Sequence, residues 1–198
     1  MRMRSVVVLT IVASVAVLGG CSPGLGTSLA VGRIPLPATL GGGGGSAVRI
    51  QSVIDGRPAR TIGVVGDRAI RAEGDVPGKV QVALGEFLKA NGFRLSAGES
   101  AVLRGTVLDW NVVVVPGFPA SVVEGTAMVE LEAFGPDSSS RYVRRYTGSA
   151  TTKHPFMTSA HVQDTLGEAM GYALQAAMED ERLLSHLRQS VPAMVPWQ

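Results

Sequence analysis

The residues of this chain whose types could do chemistry are three histidines, one cysteine and a few acid–base pairs. A hydrolytic triad needs a hydroxyl nucleophile held on a tight turn with an imidazole in reach. No Gly-x-Ser-x-Gly occurs. His154 precedes Pro155 in a predicted loop, and His161 and His186 fall near the two ends of one predicted helix. His154 and His161 lie seven positions apart across that helix start. They could approach a metal ion only weakly, because no acidic pair accompanies them and the His-Glu-x-x-His spacing of zinc hydrolases is absent. His186 suits a cation on a helix C-terminus. Gly41–Gly45 offers backbone amides as a phosphate loop does, but no Lys-Ser/Thr or acidic partner follows. The expectation is a non-enzymatic protein with no metal or dissociable cofactor.

The cysteine carries a different chemistry. Arg2 and Arg4 precede Val6–Leu18, an apolar run of 13 residues broken by Thr10 and Ser14. That length suits the hydrophobic part of a signal peptide and falls short of the ~20 residues of a membrane-spanning helix. Leu18-Gly19-Gly20-Cys21 follows and resembles the bacterial lipobox. The resemblance implies diacylglycerol on the Cys21 thiol, cleavage after Gly20, and acylation, as with palmitate, of the new amine. An ordinary secretory leader ahead of a free thiol is the alternative. Two or three chains anchor a protein firmly, at ~0.8 kcal/mol per buried methylene, where one chain holds only marginally. Ser22 stands where an Asp would retain a lipoprotein in the inner membrane, which favours the outer membrane and a periplasm-facing domain.

Other polar and aromatic residues are candidates for contact rather than catalysis. Asp55 and Arg57 form either a ligand or partner contact or simple turn chemistry. Arg141, Arg144 and Arg145 could meet lipid phosphates or form a solvated face. Glu130 and Glu132 could pair across strands with Arg144 or Arg145, contributing ~0.2–1 kcal/mol each. Trp110, Val112–Val115 and Phe118 are either core or an apolar docking groove.

Charge separates further classes. The 198 residues hold 18 basic and 16 acidic side chains, and without Arg2 and Arg4 the two signs balance. A strongly basic nucleic-acid binder is excluded. A single cysteine excludes a disulfide framework within the chain.

These residues need a scaffold to position them. Residues 1–20 read as signal peptide and 21–46 as a lipidated N-terminus with a Gly/Pro-rich tether, reaching ~25–30 Å. A stretch near Val31–Leu36 could dock as a short strand. One domain is predicted over 47–188, with a flexible tail over 189–198. Strands are predicted at Val48–Val53, Thr61–Gly66, Ala101–Val115, Val122–Phe134 and Arg141–Thr151. Phe93–Leu95 leads into the sheet. In the long strand, Leu103, Val107, Val113 and Val115 share one parity, and Val102, Leu108, Trp110, Val112 and Val114 the other. A helix spans Asp75–Asn91, with Val80, Leu84, Phe87 and Leu88 on one face. One long helix is predicted over Ser159–Leu187. The fold class is α+β: an antiparallel or mixed sheet of about four to five strands with two helices packed on one face.

This order, with Val48-Arg49-Ile50 leading to Asp55-Gly56-Arg57 and then Ile62-Gly63, resembles the YajG-type family of small bacterial outer-membrane lipoproteins. Leu84–Gly92 and the three-strand block before the last helix match its pattern as well. The glycine tether and the Pro116–Pro119 turn depart from it. The resemblance implies an envelope lipoprotein and supplies no catalytic residues. The functional expectation is a periplasmic interaction or accessory module of an envelope complex, with Trp110, Phe118, Arg144, Asp55 and Arg57 as candidate partner contacts. The alternative is a lipid- or glycan-binding, transport-assisting lipoprotein. Lipoproteins that assist lipopolysaccharide assembly or serve lipid-transporting ABC systems share the layout, by analogy.

Overall fold

A computed structural model describes residues 28–36, 42–65, 68–98, 100–135 and 140–188. Gly20, Cys21, the apolar leader and the 189–198 tail lie outside the described residues. Among the described residues, strands and helices follow in the order β1 (Ser28–Ala30), β2 (Ala47–Asp55), β3 (Thr61–Val65), β4 (Arg68–Glu73), α1 (Val76–Ala90), β5 (Arg94–Leu95), β6 (Ala101–Val115), β7 (Ser121–Phe134), β8 (Arg141–His154), α2 (Ser159–Met178) and α3 (Glu181–Arg188). The fold is mixed α/β, with three helices on a sheet of eight strands.

β6 is the spine of that sheet. Its 15 residues are rich in β-branched side chains, which favour strand. β7 pairs with it antiparallel along its whole length, and β8 continues the meander. The other edge of β6 is shared. β2 runs parallel to its first half, from Val48↔Ala101 to Asp55↔Val107, and β3 runs parallel to its second, Gly63↔Val112 to Val65↔Val114. β5 extends the sheet beyond β2, while β4 and then β1 extend it beyond β3. The predicted count of four to five strands missed β1 and β4 because each is short and little patterned.

A bulge decides which face of β6 is buried. Val107 pairs with Val129 and Asp109 with Met128, so Leu108 is the extra residue. An inserted residue flips every later side chain to the other face. Leu103 and Val107 are therefore buried together with Trp110, Val112 and Val114, and Val113 and Val115 face solvent. The predicted two parities hold only on one side of Leu108. A similar register shift in β2, between Ile50 and Ser52, places Val53 on the core face beside Val48.

The helices cover one face of the sheet. Asp75 caps α1 through Gly78 N–H (3.0 Å), Pro77 sits in the first turn, and Val80, Leu84, Phe87 and Leu88 are buried, as the spacing predicts. α2 buries Val162, Leu166, Met170, Ala173, Leu174 and Ala177. The predicted single C-terminal helix is two: the chain breaks at Glu179-Asp180, and α3 turns Leu183, Leu184 and Leu187 back onto the core. On β7, Val123, Ala127, Val129, Leu131 and Ala133 face the helices, and Glu124, Thr126, Glu130 and Glu132 face away.

Much of the segment read as a free tether packs on the domain. β1 pairs with β4 three residues upstream of the stretch expected to dock, and Leu29, Val31 and Ile34 are buried. Residues 31–35 run between the helices. Lys79 Nζ of α1 donates to Val31 O, and a Cβ on Gly167 of α2 would lie 2.2 Å from Arg33 O. The glycine run also docks: Gly43 and Gly45 N–H donate to Asn91 O (2.6 Å) and Gly92 O (2.9 Å). The affinity of small, turn-forming residues for close backbone contact explains why this composition mimics a linker.

α2 approaches β8 across Gly148, where an added Cβ would sit 2.1 Å from Ala169 O. Gly148→Val should destabilise the domain by about 1–3 kcal/mol through overpacking. Gly98→Ala, whose Cβ would meet only Ser96 Oγ at 3.8 Å, should stay within about 0.5 kcal/mol of wild type in urea denaturation.

Candidate functional site

The predicted contact residues do not form one site. Trp110 is 1% exposed, and its Nε1–H donates to Leu166 O of α2 at 2.8 Å. The bulge at Leu108 turns this ring into the core, so it is removed as a surface contact. Phe118, in the turn between β6 and β7, is fully exposed. The two residues predicted as one apolar patch therefore lie in different environments.

Arg144 is also displaced from its predicted setting. Arg141 and Arg145 lie on the outer sheet face, while Arg144 is on the helix side. Strand alternation splits the predicted basic cluster. Arg145 pairs with Glu130 (2.9 Å) and Arg141 with Glu132, so Glu130 and Glu132 do not meet Arg144. Arg144 Nη1 donates to Asp180 Oδ2 at 2.9 Å.

Asp180 is the polar hub that the sequence reading missed. It sits at the α2–α3 break and is nearly buried. Its Oδ2 also accepts from Tyr142 Oη (2.8 Å) and Tyr146 Oη (2.7 Å), and its Oδ1 from the Arg182 N–H (3.0 Å). Burial pushes the carboxyl up, but the bonds from Tyr146, Tyr142, the Arg182 amide and Arg144 outweigh it and hold the group at about 2. Burial, and then the bond to this carboxylate, push the Tyr146 phenol well above its ordinary value. His186 stacks on Tyr142 with ring centroids 5.2 Å apart. The cluster clamps α3 to β8. The signal was an Asp just ahead of a second amphipathic turn, hidden by an apolar stripe continuous enough to read as one helix.

Asp55 and Arg57 pair with each other. Arg57 Nε and Nη2 donate to the two Asp55 oxygens at 2.8 and 2.7 Å. The bond from Arg57 is the main cause of a lowered Asp55 carboxyl, against opposing desolvation. The Arg57 side chain is 3% exposed, and its Nη1 has no hydrogen-bond partner among the described residues. This is turn chemistry with a buried guanidinium.

The histidines are engaged with rings rather than with nucleophiles. His154 and His161 stack face to face at 3.6 Å. Among the described residues, no three of His, Cys, Asp and Glu gather as metal ligands.

Two of the described surfaces stand out as able to receive something. One is a cleft of about 660 Å³ between residues 31–34 and α1, where Val31, Ile34, Val82 and Ala83 provide apolar walls and Asp75, Lys79 and Glu86 a charged rim. The other is the outer sheet face, which no described element covers. Val64 and Val113, partners across β3 and β6, are both exposed there, as are Val115 and Val143. The described arrangement can bind or dock. Among the described residues, no helix is long and apolar enough to cross a membrane.

No protein-family model matches the chain, and no curated protein matches its sequence. Among solved structures, it is similar to protein XCC0632 from Xanthomonas campestris, of the family DUF330. The TM-score is 0.55 at 8% identity, covering 76% of this chain and 92% of the other. That likeness shows a shared fold. An uncharacterized protein (TM-score 0.47, 12% identity, 79% and 99% covered) and lipoprotein GNA1162 from Neisseria meningitidis (TM-score 0.34, 12% identity, 68% and 96% covered) are more distant.

Two measurements test these assignments. The folded pKa of Asp180 lies below its unfolded value near 3.8. Its stabilisation, about 2 kcal/mol, is therefore present above that value and lost as pH falls through about 2. Asp180→Asn should lower stability at pH 7 by that amount and flatten the acid limb of a denaturation series between about pH 5 and 2. Asp55→Ala should cost about 2 kcal/mol by stranding the Arg57 guanidinium, measured by urea unfolding; an exposed ligand contact would leave stability unchanged.

Proposed function

We propose that this protein is a non-enzymatic lipoprotein, anchored through Cys21 in the outer membrane and facing the periplasm, and that its domain is an interaction module of an envelope complex. The observation that carries this reading is the uncovered sheet face. Three strands of 14 or 15 residues, β6, β7 and β8, present one continuous side to solvent. Valines at 64, 113, 115 and 143 are interleaved there with the Glu130–Arg145 and Glu132–Arg141 pairs. A mixed apolar and charged face of this kind suits a specific protein contact better than free solvent. The engaged state of the histidines and of Asp55, Arg57 and Asp180 supports a structural rather than a catalytic role for them. The lipobox at Leu18–Cys21 and the YajG-type pattern support the anchor and the compartment.

A second reading is favoured by the cleft beside α1. An apolar groove with a charged rim suits an amphipathic ligand, a lipid or glycan fragment, as in transport-assisting lipoproteins. The cleft takes the place of the Trp110 surface first considered for this role.

The wild-type protein should incorporate labelled palmitate and sediment with membranes, and Cys21→Ser should do neither. Photocrosslinking from Val113 and Arg145 in cells should capture one discrete envelope protein that also co-purifies after gentle extraction. A protein that remains alone under both treatments contradicts the module reading. Lipid retained in native mass spectra, and lost on Val82→Glu, would move the assignment to the cleft.

A further inference from the structure

The way the chain joins β1 limits which end of the domain can face an anchor at Cys21. Six residues separate Cys21 from Ser28, the first residue of β1. Fully extended, this link reaches at most about 24 Å from Cys21 to Ser28. β1 runs parallel to β4, which is antiparallel to β3, which is parallel to β6. Ser28 stands opposite Arg71, which pairs with Thr61, so β1 starts about 10 Å short of the end where β4 begins at Arg68 and where β3 and β6 finish at Val65 and Val115, and the chain runs into β1 from that side.

The same end carries unusual surface chemistry. The β6–β7 turn holds Phe118, and β8 runs out at His154, opposite Ser121, into Pro155-Phe156. Of the five phenylalanines, Phe118 and Phe156 are the two that the fold leaves exposed, Phe156 by 84%. Val115, half exposed, is the last residue of β6, three positions before Phe118. Lys153 and Arg68, both solvent-facing, occupy the same end. Exposed aromatic tips with flanking cations are poor solvent-facing choices and suit the boundary between lipid headgroups and acyl chains.

We propose that this end of the sheet, led by Phe118 and Phe156, is a membrane-contact surface that seats the domain on the leaflet holding its own lipid. The proposal rests on the lipidation of Cys21. The short connection and the parallel entry of β1 bring this end toward the bilayer. The two rings enter the interfacial region, and Lys153 and Arg68 meet lipid phosphates. The strands of β6, β7 and β8 then rise away from the membrane. The open sheet face stands clear of it.

The test uses the full-length protein in cells, with p-benzoyl-phenylalanine at Phe118, Phe156 or Leu95. Leu95 is exposed at the opposite end, where β5 pairs with the start of β2. Palmitate incorporation is read on the same samples. Lipid adducts at 118 and 156, and about tenfold fewer at 95, are expected, the ratio being that of an aromatic group lodged in lipid to one left in water. Palmitate labelling with protein adducts, or none, at 118 and 156 overturns the membrane surface while leaving the anchor intact. Without palmitate labelling the anchor reading fails. The seat on the protein's own leaflet is then overturned as well, whatever is captured at 118 and 156. As a second readout, Phe118→Ser with Phe156→Ser should leave thermal unfolding unchanged and raise protease cleavage within residues 22–27 in vesicles of phosphatidylethanolamine and phosphatidylglycerol. Unchanged cleavage counts against the seat.

Discussion

β6 is a 15-residue strand hydrogen-bonded along both edges, and the remainder of the fold depends on how it meets its neighbours. A pair of strands this long accumulates right-handed twist, and a bulge concentrates that twist at one place. Here the place is Leu108. The side chains change faces there, Trp110 turns inward, and its indole N–H reaches a carbonyl of α2. The same point divides the opposite edge, because β2 ends against Val107 and β3 begins against Val112. Gly56 makes that exchange possible: its N–H donates to Val107 O at 2.9 Å, and a Cβ there would lie 2.6 Å from Thr106 Cγ2.

The helix layer is fixed by close approach rather than by bulk. Gly148 admits α2 to β8, and Gly167 admits residues 32–35 to α2. That second contact turns the N-terminal segment from a leash into a strap. With Leu29, Val31 and Ile34 in the core, little chain is left between the cysteine and the fold. The consequence is directional. A domain on a long tether samples all orientations, whereas one held by six residues to a lipid on Cys21, as proposed, has a preferred end toward its anchor. On the proposed reading that end carries the two exposed phenylalanines.

The sequence patterns that proved legible were those governed by one local rule. Asp75-Val76-Pro77 marks the start of α1, and the alternation in β7 assigns its faces without error. Features that depend on distant backbone were hidden. Nothing local in Val107-Leu108-Asp109 announces a bulge, so parity alone groups Val113 and Val115 with Leu103 and Val107, although the first two face solvent and the last two are buried. Asp180 breaks an apolar stripe that continues through it, and its need for Tyr142, Tyr146 and Arg144 is visible only when β8 lies alongside. Glycine and proline ahead of β2 have the composition of a linker, yet Gly32 and Pro35 pack closely against α2 and Gly43 against Gly92 and Phe93. Of the predicted contact residues, Phe118 was readable as exposed apolar surface, whereas Phe156 passed unnoticed in a loop.

The orientation that follows from the proposed lipid anchor is measured most directly by neutron reflectometry from the lipidated protein in a supported bilayer. A domain seated on the Phe118–Phe156 end stands with β6 along the membrane normal, giving a protein layer about 50 Å thick from 15 residues at strand rise. A domain lying on its sheet or helix face gives a layer about 20 Å thick, one helix upon one sheet. The first thickness is the predicted result, and the second would contradict the account.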